Sequence, residues 1–330
     1  MELTRRHALA AAAGVAAAPL LPAISANADS PMANKQAPSL YRYKVGDILV
    51  TVVSDGQNVF KFEDNFIVNA KKEEVAAALE QAYMPPGMMT IYFAPLVINI
   101  GGKVVVVDTG NGPVAKQNNK GANGLFADNM VAAGFDPAKV DTVVISHFHT
   151  DHVNGLLTAD GTPAFPNAEV LVPALEHKYW TDAGEESRSS TPRIADNFKN
   201  VKRVMTNPEV AKRLRTHEWD KEVIPGVLAV GTPGHTPGHT SHIVSSGSAK
   251  VYVQADVTHA PFLFARHPGW HAFYDHEPVL AEATRRKVYD MLSAEKMMVQ
   301  GFHYPFPSVA HVEKTASGYQ EVPMPWSPVL

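Results

Sequence analysis

The sequence predicts an α/β fold built as one domain, and three observations carry that reading. Short β-branched runs alternate with helically spaced segments from about Tyr41 onward. No Pro/Gly/Ser-rich linker interrupts the alternation. The chain has 330 residues, of which 45% are hydrophobic and 19% charged, enough for one large core. That ordinary composition excludes a disordered chain, a coiled coil and a collagen-like fibre. With 29 Lys and Arg against 33 Asp and Glu, the net charge of −4 offers nothing to a nucleic-acid backbone. No apolar run is long enough for a bilayer span. Cysteine is absent, which excludes disulfides, thiolate metal sites and a cysteine nucleophile.

The elements follow in order. Residues 1–28 hold the Arg5-Arg6 pair, an alanine-rich stretch and a small-residue end at Ala26-Asn27-Ala28. They read as a twin-arginine export signal, which places the mature protein in the periplasm. A 29–40 extension then precedes a domain over 41–330. Asp47–Val53 reads as a strand, and Lys72–Tyr83 as a helix stopped by Pro85-Pro86-Gly87. Ile91–Ile98 and Val104–Val107 flank Gly101-Gly102 as a hairpin. Ala122–Ala133 is expected to be helical and Val140–Ile145 a buried strand. Val170–Val172 follows as a short strand, and Pro208–Arg215 as a helix. The polar 184–200 stretch reads as a mobile loop. Ser241–Ser246 and Lys250–Gln254 pair across a turn, Pro278–Leu292 is an amphipathic helix, and Lys296–Gln300 a strand.

The fifteen histidines are not scattered evenly. The Val143–Ser146 strand runs straight into His147-Phe148-His149-Thr150-Asp151-His152. Alternation on an extended segment points His147 and His149 the same way, and a following turn brings Asp151 and His152 round. Chance supplies this pattern on the order of once in a thousand such chains. Three imidazoles with a carboxylate at this spacing call for a divalent ion. His235, Asp256 and His303 each follow an apolar strand, as the cluster does, and strand ends are where α/β sheets build their sites. Seven donors, five His and two Asp, make a binuclear site with one carboxylate free to bridge.

These residues, with Asp108-Thr109-Gly110 after Val104–Val107, resemble the metallo-β-lactamase superfamily in its hydrolase branch, over about residues 45–323. The resemblance implies a four-layer αβ/βα sandwich, with two mixed sheets face to face and helices outside. It also implies that His147, His149 and His235 hold one ion and Asp151, His152 and His303 the other, with Asp256 and a hydroxide between them. Zinc is the expected metal, with manganese, iron and cobalt compatible. Asp151 and Asp256 would handle the proton. Asp108 and His239 would orient ligands from behind.

Within the superfamily, zinc β-lactamases lack an acid at the Asp256 position, and flavo-diiron members carry one at the His149 position. Glyoxalase II adds a C-terminal helical domain, and ribonuclease Z binds RNA. The chain is most similar to exported methyl parathion hydrolase-like enzymes. It differs from quorum-type lactonases, which carry a tyrosine where His259 stands. The implied activity is hydrolysis of neutral aromatic esters or lactones and of organophosphate triesters. An acyl-homoserine-lactone lactonase is the alternative. A β-lactamase and a non-catalytic periplasmic metal-binding protein are more remote. The expected partner is a small neutral aromatic molecule rather than nucleic acid, and a homodimer is left open. Tyr92, Phe93, Trp180, Phe198 and His259 are the candidate pocket residues, with His259 placed to donate to a carbonyl or leaving-group oxygen.

Overall fold

Period-two alternation of valines builds the centre of the molecule. In the strand Lys103–Val107, Val105 and Val107 point to one side and Val106 to the other. Thr142–Val144, Glu169–Pro173 and Ala249–Val253 sort their side chains in the same way. The computed structural model describes residues 36–85 and 87–330, so the proposed export segment lies outside the described residues. Pro38 to Leu330 packs as one unit.

Two seven-stranded sheets face each other. The first runs, in spatial order, Leu40–Val45, Ile48–Val53, Leu96–Ile100, Lys103–Val107, Thr142–Val144, Glu169–Pro173 and Leu214–His217. Its first four strands pair antiparallel and its last four parallel. The second runs Glu222–Ile224, Val227–Gly231, Thr240–Ser246, Ala249–Val253, Met298–Gln300, Val309–Lys314 and Tyr319–Pro323, with one parallel pair at its middle. Val50, Val52, Ile98, Val105, Val107 and Val144 meet Val227, Val244, Val251 and Val253 in the layer between the sheets. Each such side chain, fully buried, contributes about 1.5–3 kcal/mol.

The opposite face of the first sheet is covered by Phe126, Met130, Trp180, Phe198 and Val201 from its helices. The Pro278–Glu295 helix covers the second sheet through Val288, Tyr289 and Leu292. Helix, sheet, sheet and helix make the four layers. A separate hairpin, Gly56–Lys61 with Met88–Phe93, and the Lys72–Gln81 helix pack on the Pro261–Phe264 turn and overhang one sheet edge. No helix among the described residues is long and apolar enough to cross a membrane.

Several boundaries differ from the sequence reading. The first strand begins at Leu40, inside the stretch read as an extension; Arg42 and Lys44 face solvent while Tyr43 and Val45 are buried. Ile91–Ile98 is two strands rather than one. The Met88–Phe93 strand belongs to the hairpin and Leu96–Ile100 to the first sheet, parted at Ala94-Pro95. Residues 184–200 are largely helical, because Thr191 caps Pro192–Met205 by accepting from the Ile194 amide and proline fits the first turn. The helix at Pro208 stops at Ala211, and Leu214–His217 becomes an edge strand.

Candidate metal centre

His147 and His149 leave the Thr142–Val144 strand on extended backbone, and the single turn Thr150–Val153 folds Asp151 and His152 back toward them. The Asp151–His152 turn is pinned from outside. Thr109 donates both its amide (2.9 Å) and its hydroxyl (2.8 Å) to the His152 carbonyl. His235 follows the Val227–Gly231 strand through Gly234. This glycine has φ +126, and a Cβ there would lie 2.3 Å from the Ala281 backbone nitrogen, so no other residue fits. Asp256 follows the Ala249–Val253 strand, and His303 the Met298–Gln300 strand.

These seven side chains converge into two groups. In the first, His149 Nδ1 lies 3.1 Å from His147 Nε2 and 2.8 Å from His235 Nε2. In the second, Asp151 Oδ2 lies 3.5 Å from both His152 Nε2 and His303 Nε2. Asp256 belongs to both. Its Oδ2 is 3.3 Å from His235 Nε2 and 3.1 Å from His303 Nε2, while Oδ1 is 3.2 Å from His152 Nε2.

The outward nitrogens are already used. His152 Nδ1 donates to Asp108 (2.8 Å), His235 Nδ1 to Asp275 (2.8 Å) and His303 Nδ1 to the Tyr92 carbonyl (2.7 Å). Each ring therefore turns its Nε2 inward; against burial, Asp256, Asp108 and Asp151 hold His152 well above the usual histidine range, and Asp256 and Asp275 lift His235 to about 9. Asp108, at φ +58, also accepts from the amide and hydroxyl of Ser146. His239 accepts the Asp256 amide at 3.0 Å and is anchored on the Thr232 carbonyl, so it holds the backbone of the shared carboxylate.

The electrostatics are those of a site built for cations. Burial pushes His147 and His149 well below the usual histidine range, reinforced by neighbouring imidazoles. Burial alone would raise Asp256, but His152, His303 and His147 override it and hold the carboxyl well below its ordinary value. His152 Nε2 and Asp256 Oδ1 are buried with no hydrogen-bond partner. Lone pairs that converge at these distances repel unless a cation is shared among them. The donor set, all imidazole and carboxylate, fits a pair of divalent cations.

A cavity of about 570 Å³ opens above this floor. Phe60, Phe66, Phe93, Phe273 and Tyr274 form one wall, with Phe66 5.7 Å from both Phe273 and Tyr274, ring to ring. Arg193, Asp196 and Asn197 also line the cavity, with the Arg193 guanidinium 5.9 Å from the Phe273 ring. Of the expected pocket residues, Phe93 and His259 line this cavity. Tyr92 does not; it contributes its carbonyl to His303. Trp180 and Phe198 are fully buried, 4.7 Å apart in the core behind His149, because the capped 192–205 helix turns its apolar face inward. Sequence reasoning missed Asp275, Glu176, Tyr274 and Arg193, single polar or charged side chains in no motif. The wall is also less uniformly apolar than expected, since Arg193 and Asp196 border it.

His259 lies over the floor, stacked 5.0 Å from His303 and edge-on to Tyr274 at 4.5 Å. Its Nε2 is 3.2 Å from Asp256 Oδ2, and its Nδ1 is buried without a partner. Burial lowers this imidazole to about 4. A neutral ring at this distance turns Nε2 to the shared carboxylate and leaves Nδ1 for another partner.

Residues 95–299 match the family model of the metallo-beta-lactamase superfamily. Among curated proteins, the chain is 26% identical over 215 residues to the N-acyl homoserine lactonase AiiA of Bacillus thuringiensis subsp. kurstaki, covering 59% of this chain and 74% of that one. It is 30% identical over 130 residues to the N-acyl homoserine lactonase AttM of Agrobacterium fabrum, covering 37% and 43%. Among solved structures, the hydrolase AbOPH superposes with a TM-score of 0.81 at 26% identity, over 89% of this chain and all of that one. AidC, a dizinc quorum-quenching lactonase, superposes with a TM-score of 0.80 at 21% identity, over 88% and 99%. Two facing sheets, seven donors at one sheet edge and a family match across most of the chain agree: this chain belongs to the metallo-beta-lactamase superfamily, as one of its metal-dependent hydrolases.

Proposed function

We propose that the chain is a binuclear lactonase that opens neutral lactones with an apolar substituent, N-acyl homoserine lactones among them. The observation that carries this reading is the shared carboxylate, Asp256, set between two groups of inward-turned ring nitrogens at the floor of a cavity with an aromatic wall. His147, His149 and His235 would hold one ion and Asp151, His152 and His303 the other, with zinc suited to the donors. When bound, such a pair activates water as a nucleophile and polarises a carbonyl oxygen.

The protein's own groups do the rest. Asp151 is the most exposed of the four donors in the second group, so its carboxylate would take a proton from a water above the floor. Phe66, Phe93 and Phe273 take up an acyl or aromatic substituent and exclude water. Arg193 spends one donor on the Tyr274 carbonyl (3.1 Å) and, among the described residues, has no carboxylate within ion-pairing distance. Its remaining donors can hold a second carbonyl, which a side-chain amide on the lactone would supply. That feature, with relatives named as lactonases, supports lactones over the triesters of methyl parathion hydrolase-like enzymes.

The test is a kinetic panel of N-acyl homoserine lactones, unsubstituted γ-lactones, aryl esters, a dialkyl aryl phosphotriester and a β-lactam. Zinc-loaded and chelated protein would be compared on each. Acyl lactones are expected to lead in kcat/KM by about tenfold or more, with chelated protein inert. A triester or β-lactam turned over faster than every lactone would overturn the substrate class.

A further inference from the structure

We propose that Glu176 is the positioning residue that sets the distance between the two halves of the first donor group, His147 and His149 on one sheet and His235 on the other. The consequence for metal binding rests on the binuclear reading above; the hydrogen bonds do not.

Glu176 lies on the Ala174–Thr181 helix and is completely buried. Its two oxygens divide the work. Oε1 accepts from the Phe148 amide at 3.0 Å and from Trp180 Nε1 at 2.7 Å. Oε2 accepts from the Thr236 hydroxyl and the Gly238 amide, both at 2.8 Å. Phe148 stands between His147 and His149, and Thr236 and Gly238 follow His235 within three residues. One oxygen therefore holds the strand end of the first sheet and the other the loop leaving the second. The His235 loop is seated directly on the helix, since a Cβ on Gly238 would lie 2.1 Å from the Glu176 nitrogen.

A buried carboxylate is costly unless every lone pair is used, and here four donors meet two oxygens. An apolar residue would fill the space without joining the strand ends. Glutamine would match the shape, but its NH2 would face two donors, so it could keep only one end. The ring nitrogens of His149 and His235, 2.8 Å apart, belong to the residues next to Phe148 and Thr236, the two ends this link joins. Slippage of either strand end moves them directly. Asp151, His152 and His303 share no hydrogen bond with Glu176, and His152 is fixed instead through Asp108 and Thr109.

Glu176→Gln and the milder Thr236→Val test the idea, with Asp55→Asn as a control. Asp55 is another buried carboxylate that accepts backbone amides, but from Asn111, Gly124 and Phe126. Cobalt(II) titration followed by absorption reads the two metal sites, and amide hydrogen exchange reads Phe148 and Gly238. In Glu176→Gln, one of those amides should exchange faster, and one cobalt site should weaken by about ten- to a hundredfold while the other keeps its affinity. Thr236→Val should weaken the same site by less. Asp55→Asn should lower thermal stability and leave unchanged the cobalt site that Glu176→Gln weakens. Equal weakening of both sites, or unchanged cobalt binding in Glu176→Gln, would overturn the proposal. Wild-type protein that takes up only one cobalt would instead refute the binuclear reading, and unchanged exchange at both amides in Glu176→Gln would then refute the link itself.

Discussion

His242 is the buried group whose removal should most clearly strengthen this protein. It sits on the Thr240–Ser246 strand beside Val244 of the inter-sheet layer, fully buried, and neither ring nitrogen has a hydrogen-bond partner. The His217 ring lies 6.2 Å away. Burial, with His217 opposing a second positive charge, lowers His242 to about 3, whereas an unfolded histidine titrates near 6.5. The folded state therefore binds fewer protons than the unfolded state between these values. The contribution of His242 to stability is fully present above about pH 6.5 and is lost as pH falls toward 3. At pH 5 the loss amounts to about 2 kcal/mol. His242→Leu has no proton to gain and leaves no orphaned N–H, an omission that costs about 1–3 kcal/mol. The variant should match or exceed the wild type at pH 7.5, and its advantage should widen by about 2 kcal/mol by pH 5. Urea unfolding followed by tryptophan fluorescence at the two pH values measures this. The site histidines titrate alike in both proteins, so the difference isolates position 242. Parallel losses of stability would refute the reasoning, because His242 would then be charging in the fold with a partner the structure does not give it.

Three further outcomes are expected. Asp256→Ala should drop metal content toward one ion per chain and turnover by more than about a hundredfold, read by elemental analysis and lactone hydrolysis. Two ions at a near-normal rate would remove Asp256 from its shared role. Arg193→Met should raise KM for N-acyl homoserine lactones by about five- to thirtyfold with kcat little changed, and leave unsubstituted γ-lactones unaffected. Replacing both Arg5 and Arg6 by Lys should hold precursor in the cytoplasm, as fractionation and immunoblotting would show; normal periplasmic accumulation would sink the export proposal.

Much of the donor cluster was legible because its geometry is local. His147, His149, Asp151 and His152 fall within one strand end and one turn, and His235, Asp256 and His303 each follow an apolar run whose direction is easily read. What escaped has no period. Glu176, Asp275 and Arg193 are single charges whose links to Phe148, His235 and Tyr274 span 28, 40 and 81 positions, a separation that only the folded topology closes. Trp180 and Phe198 were drawn to the pocket by a polar stretch assumed to be loose. Yet Ile194, Phe198, Val201 and Met205 recur at helical spacing, and Thr191-Pro192 is a good helix start. Leu40–Val45 also shows its alternation, hidden by its position beside the stretch read as an extension. Leu214–His217 carries no such signal, being a short edge strand with Arg215 turned to solvent.

Titration of metal-free protein with zinc, with N-acyl homoserine lactone hydrolysis read at each addition, tests the central claim most directly. The seven donors sharing Asp256 predict that turnover appears mainly with the second equivalent and saturates at two ions per chain. Full activity at one ion, or lactone hydrolysis that persists unchanged in metal-free protein, would contradict the account.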